Sequence, residues 1–294
     1  MTGIILALIS TASWALCSII FKKLGKHLDA IGMTLITAFL SAIFLFVVIL
    51  ITKNNFIISK ENLLLIALSG ILGISIGDSL FYASLNRLSP MVFSLIMFIG
   101  PDLFSGIFGI VFLKEFPPLI VWLGIIATLL GLSFFLFPLK DDSKKSAKST
   151  LTGIIFAIFS LICTAYSMVM VKPILNNTPI LTITMYRMLF AAFSLFLFAL
   201  LSKKLFIWLK ILNNKIYFLK LSSSIILVAF GGFYLSLLAL KYCALVVTSA
   251  IMSLGPLFVF IFMIMFYKYK PKKREYLGVL FVIFGIILIC LGHI

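Results

Sequence analysis

Ser94-Leu95-Ile96-Met97-Phe98-Ile99-Gly100-Pro101 returns, with its Ser, Ile, Met, Gly and Pro in place, as Ser249-Ala250-Ile251-Met252-Ser253-Leu254-Gly255-Pro256. Two further stretches repeat with it. Gly3-Ile4-Ile5-x-Ala7-x-x-Ser10 returns as Gly153-Ile154-Ile155-x-Ala157-x-x-Ser160. Leu123-Gly124 with Gly131 returns as Leu277-Gly278 with Gly285. The offset is 150 residues at the start, 155 at the Gly-Pro pair and 154 at the end, so the order is kept with small insertions. Residues 1–149 and 150–294 are two versions of one unit.

The unit is a membrane one. Hydrophobic residues make up 63% of the chain and charged residues 11%, with a mean hydropathy of +1.28. A soluble domain would carry about a quarter charged residues. Apolar runs of about 20 residues, long enough to cross a bilayer, recur throughout. Backbone polar groups in lipid must be satisfied internally, so the runs are read as helices. We place ten spans near 2–21, 30–52, 63–85, 90–113, 118–138, 151–171, 179–202, 221–240, 244–267 and 276–292. The expected fold is an all-α membrane protein. It divides into a first five-helix repeat (1–138), a polar linker (139–150) and a second five-helix repeat (151–294). Five is odd, so the second half enters the membrane from the opposite face. That is an inverted repeat around a central cavity, an architecture used by secondary transporters with the substrate site between the halves. Residues 203–220 mix Lys with Phe206, Ile207, Trp208 and Tyr217 and suggest an amphipathic stretch at the interface.

The formal net charge is +16. Lys and Arg sit in the short connections, with no soluble basic domain to carry nucleic acid, so nucleic acid is excluded as a partner. The odd-numbered connections hold 18 of the 24 basic residues and the even-numbered ones 5, with Arg187 inside a span. The positive-inside rule then puts the odd connections in the cytoplasm and both termini outside. Cys17, Cys163, Cys243 and Cys290 form no C-x-x-C pair, and the two histidines are His27 and His293. No metal site, cofactor or disulfide framework is expected. The first basic residue is Lys22 and no cleavage site is evident, so the N-terminal run is read as a first span.

Several polar residues fall inside spans. A carboxylate at membrane depth is costly unless paired, solvated or protonated, which makes Asp78 a functional candidate. Ser75 and Tyr82 share its helix face; the structural alternative is a carboxylate capped by a hydroxyl or Lys. Gly73 and Gly77 suit close helix packing. Arg187 suits a substrate carboxylate or phosphate, with Thr184, Ala191 and Ser194 on its face. An ion pair with Asp78 or Asp102 is the alternative. The pairs Gly100-Pro101 and Gly255-Pro256 are read as interruptions of spans four and nine. Pro lacks an N–H, which leaves the carbonyls of Met97 and Met252 without helical partners. They are read as hinges near the site, against a passive kink. Asp102 follows the first pair, with Leu257 in its place after the second. Trp14 stands on a stripe with Ser10 and Ser18. Tyr166 stands beside Ser160, Thr164 and Ser167; packing or lipid contact is the alternative for both aromatics. Tyr234 in span eight completes the candidate lining. Lys22 and Lys172 occupy equivalent positions and are expected to snorkel to the interface.

The two five-helix halves, the Trp14-to-Lys22 stretch, Gly77-Asp78-x-x-Phe81-Tyr82-x-x-Leu85, the Gly-Pro pairs, Lys114-Glu115 before span five, and the Leu-Gly…Gly pattern of spans five and ten together resemble one family. It is the ten-helix EamA-type branch of the drug/metabolite transporter superfamily. The resemblance covers essentially the whole chain. It implies an exporter, or less often an importer, of amino acids, nucleosides or other metabolites. It also implies cytoplasmic termini, contrary to the charge count. Such proteins often carry an Arg in both the second and seventh spans; here Arg187 is matched by Thr37. The Glu that the pattern places after span nine is replaced in the region Tyr269-Lys270-Pro271.

The expected function is a secondary active or facilitative transporter in the cell membrane, exporting a small polar or zwitterionic, amino-acid-like metabolite. Asp78 and Arg187 would meet its opposite charges. Proton coupling through Asp78 or Asp102 is open. The alternative is uptake or exchange of a nucleotide-like or other anionic metabolite. No P-loop is present to make ATP the energy source. A membrane-embedded enzyme would need a cluster of His, Asp or Glu at one interface, and eight acids and two His are scattered along the chain.

Overall fold

The computed structural model describes residues 1–24, 29–53, 56–88, 90–136, 147–210, 215–267 and 273–293. They form ten apolar spans. In order, these are Thr2–Leu24, Ala30–Thr52, Lys60–Arg87, Pro90–Leu113, Leu119–Leu136, Ala147–Val171, Ile180–Leu201, Lys215–Tyr242, Leu245–Met252 continued by Gly255–Tyr267, and Lys273–His293. Most of the 139–150 linker lies outside the described residues, and span six already begins at Ala147. Span eight begins at Lys215, so the stretch expected at the interface is divided. Only Leu205–Lys210 forms a separate short helix.

The halves exchange their neighbours. Span one packs on spans eight and nine; span six packs on spans three and four. Span two packs on span seven, and span five on span ten in the most extensive pairing of all. A Cβ on Gly124 would meet the Gly285 carbonyl at 2.8 Å, and one on Gly131 would meet the Gly278 carbonyl at 2.7 Å. Early residues of each helix thus face late residues of the other, so equivalent spans run antiparallel and the repeat is inverted. Only glycine lets the two backbones come this close. This pair shares a second core with spans one, eight and nine, around Ala7, Val121, Val246 and Val282. The main core lies between spans two, three, seven and eight, around Leu45, Ile74, Met188 and Val228.

Spans three and eight each carry a π-helical segment at equivalent places, Gly70–Asp78 and Val228–Tyr234. The wider turn changes which carbonyls find helical partners. In each half a serine of the opposite half donates to one of them. Ser160 Oγ donates to the Gly77 carbonyl at 2.8 Å, and Ser10 Oγ to the Gly232 carbonyl at 2.9 Å.

The two Gly-Pro pairs differ. Span four continues as helix through Gly100-Pro101, whereas span nine breaks at Ser253-Leu254, just before Gly255-Pro256. Packing separates them. A Cβ on Gly100 would collide with the Leu161 side chain of span six, while one on Gly255 meets nothing within 4 Å.

Candidate functional site

Asp78 ends the π-helical segment of span three. With Tyr82, Ile74, Thr34, Thr37, Ala38, Met188 and Phe233 it lines a closed pocket between spans two, three, seven and eight. The space between these side chains is too narrow for a water molecule. The edge of Trp14 meets the Phe233 ring, with centroids 4.8 Å apart, so Trp14 buttresses the pocket from span one. Tyr82 meets Phe21 edge-on at 6.4 Å. The Thr37 hydroxyl is buried without a hydrogen-bond partner.

Arg187 is 3% exposed and sits at the junction of spans three, six and seven, beside the Asp78 pocket. A Cβ on Gly70 would strike the Arg187 backbone, and one on Gly73 would come within 3.3 Å of its Nη2. Nη2 donates to Ser167 Oγ at 3.1 Å, Nη1 contacts Met168 Sδ at 3.9 Å, and Nε has no partner. Asp78 and Arg187 act on one another electrostatically without forming an ion pair. Between them Ser194 Oγ hydrogen-bonds Ser75 Oγ at 2.9 Å. The face-sharing of Ser75 with Asp78, and of Ser194 with Arg187, is thus where spans three and seven touch.

Tyr234 lines a second space. This is a cavity of about 390 Å³ at the face where both termini emerge, bounded by Val48, Thr52, Thr178, Ile180, Phe230 and Lys241 among others. Thr52 and Pro179 at its rim are exposed. Phe230 and Tyr234 flank Phe233 of the closed pocket in sequence, and we call the cavity the vestibule; no described residue lines both spaces. On the opposite face the short helix Leu205–Lys210 lies against the start of span two. Trp208, 3% exposed, presses its ring on Gly32 at the start of span two. Lys204 pairs with Asp29 at 3.8 Å beside it.

The remaining sequence candidates lie elsewhere. Tyr166 packs edge-on against Phe108 and Phe112, with centroids 6.0 and 5.5 Å apart, between spans four and six. Asp102 lies where spans four and nine cross, and Ser253 is its hydrogen-bonding neighbour. Lys172 is not a snorkelling residue. It forms an ion pair with Glu115 and donates to the Cys243 carbonyl at 2.7 Å, while Glu115 accepts from the Leu245 N–H at 2.7 Å. This latch ties the connection after span four, the end of span six and the turn between spans eight and nine. The Lys114-Glu115 pair carried the signal, but nothing local pointed to its partner.

A model described as the EamA-like transporter family matches residues 1–137 and again residues 151–291. No curated protein matches the chain. Among solved structures, one described only as the crystal structure of a protein aligns over 99% of this chain and 96% of that chain. The two are 13% identical, with a TM-score of 0.75, a likeness of fold.

Proposed function

The chain belongs to the EamA-like transporter family, which makes it a multi-pass membrane transporter of small molecules, and from that premise we propose that it exports a zwitterionic, amino-acid-like solute. The observation that carries this reading is a set of unsatisfied polar groups around one pocket. Thr37 Oγ1 and Arg187 Nε are buried without partners, and the Asp78 carboxyl lies nearby without an ion pair. Buried polar groups are nearly always hydrogen-bonded in a resting protein. A solute carrying an ammonium and a carboxylate would satisfy Asp78 and Arg187 together. The pocket is closed in this state, so binding requires spans two, three, seven and eight to separate.

The test is a panel of labelled amino acids and nucleotides in proteoliposomes. At least one amino acid should cross with the parent chain. Arg187→Ala and Asp78→Asn should each lose at least about tenfold in rate, the scale of one charge-assisted contact. Arg187→Lys should not restore it, because an ammonium lacks the planar fork. A panel in which no solute crosses would remove the reading. A second reading, an anionic metabolite, is favoured by Lys241 in the vestibule, which forms no ion pair among the described residues. Movement of a nucleotide in preference to amino acids would select it.

A further inference from the structure

We propose that Asp102 is the proton-binding site of this transporter, separate from the substrate pocket and reached from the face where the termini emerge. The proposal rests on the transporter reading above and adds to it the coupling ion and its seat. Asp102 is 3% exposed at the middle of span four, and its Oδ1 has no hydrogen-bond partner. Its Oδ2 lies 3.3 Å from Ser253 Oγ. That hydroxyl also lies 2.8 Å from the Ala250 carbonyl. It has one proton to donate. Turned to Oδ2, it serves the ionised carboxylate; turned to the Ala250 carbonyl, it leaves a lone pair that a protonated carboxyl can use. The serine therefore accommodates Asp102 in both protonation states.

Among the described residues, no ion pair involves Asp102. Span four packs against spans three, five, six and nine. Of their titratable side chains, Lys60 and Glu61 are exposed at the start of span three, Asp78 and Tyr82 line the substrate pocket, and Tyr166 packs against Phe108 and Phe112. Arg87 donates to the Ala83 carbonyl and lies over the Phe156 ring at 5.0 Å. Lys172 is taken by Glu115. Cys163 stands against Gly77 of span three. Lys148 and Tyr267 have side chains outside the described set. A metal ion would need several oxygen ligands, whereas a proton needs one.

A path also exists. One turn from Asp102 towards the termini face, Ser249 Oγ and Ser105 Oγ are 2.6 Å apart across the same crossing. One further turn brings the Leu245 N–H and the carboxylate of Glu115. This polar ladder follows the interface of spans four and nine, ending beside the break at Ser253-Leu254. A proton from water would join one carboxyl oxygen of Asp102 and leave by the same atom when the crossing opens.

Infrared difference spectroscopy of the reconstituted protein tests this without knowledge of the solute. At neutral pH the parent should show the carbonyl stretch of a protonated carboxyl, which disappears on raising the pH. The band should be absent in Asp102→Asn and present in Asp78→Asn. Ser253→Ala, which leaves the carboxyl in place, should shift the pH at which the band is lost. A band that survives Asp102→Asn, or a spectrum that responds to NaCl instead of pH, overturns the proposal. A transport arm uses the labelled amino-acid panel under an imposed pH gradient. The gradient should accelerate the parent and leave Asp102→Asn unaffected. A parent indifferent to the gradient also overturns the proposal. If no solute moves at all, the transport reading fails while the infrared result still judges the proton site.

Discussion

Thr37 stands where the repeat would place the partner of Arg187, and its buried hydroxyl lacks an acceptor or donor. A hydroxyl left in this state costs about 1 kcal/mol or more relative to an apolar group of the same shape. Thr37→Val should therefore raise the thermal midpoint in detergent. If the hydroxyl meets the solute, the same variant should slow transport, so stability and rate should move in opposite directions. A variant that is both less stable and fully active would mean the hydroxyl is satisfied in the resting protein. At this scale the sequence was partly legible. Asp78 and Arg187 stood out because a charge at membrane depth is expensive wherever it sits. Met188 and Phe233 did not, because apolar residues occur on every face of every span, and Thr37 was visible only as the residue matching Arg187 in the repeat. Tyr166 was a candidate by helical spacing, and its ring packs on Phe108 and Phe112 of span four. Spacing along one helix does not say what the next helix presents.

The π-helical segments of spans three and eight could not be read from residue pattern, since an i→i+5 turn persists only where tertiary contacts hold it. Here the holding contacts are Ser160 to the Gly77 carbonyl and Ser10 to the Gly232 carbonyl. Ser10→Ala and Ser160→Ala should each remove about 1 kcal/mol of stability, by leaving a buried carbonyl unpaired. The sites are in different halves and share no partner, so the double variant should lose about the sum. Thermal unfolding of the three variants in detergent checks both statements. The repeat did make the element boundaries legible, because two copies of one pattern constrain each other. Its limit shows at the Gly-Pro pairs. Identical dipeptides end as a continuous helix in span four and a broken one in span nine, because Leu161 closes on Gly100 while nothing closes on Gly255.

For the whole molecule, the antiparallel pair of spans five and ten makes the two faces of the membrane structural counterparts, and orientation is the property that distinguishes them. Among the described residues, each face has one ion-paired lysine, Lys172 with Glu115 on the termini face and Lys204 with Asp29 on the other, so the basic excess of the opposite face stands as the count gives it. We expect that face in the cytoplasm, with the vestibule outside. Lys203→Cys, in a chain otherwise free of cysteine, should resist a membrane-impermeant maleimide in intact cells and react after lysis; reaction in intact cells would reverse the orientation. The latch between Glu115 and Lys172 has a consequence of its own. Two inverted copies of one unit would, if identical, give outward and inward conformations of equal free energy. The latch breaks that degeneracy. Its equivalents by the repeat offset are Lys22, Pro90 and Lys270, two like charges and a residue without an N–H, which cannot form the same closure. One conformation therefore has a stabilising contact that its counterpart lacks, and every 1.4 kcal/mol of that contact weights the resting populations about tenfold. The solute meets a fully populated binding-competent form on one side and a depleted one on the other. Its half-saturating concentrations on the two sides must then differ, although the energy of moving it across is fixed by the gradients alone.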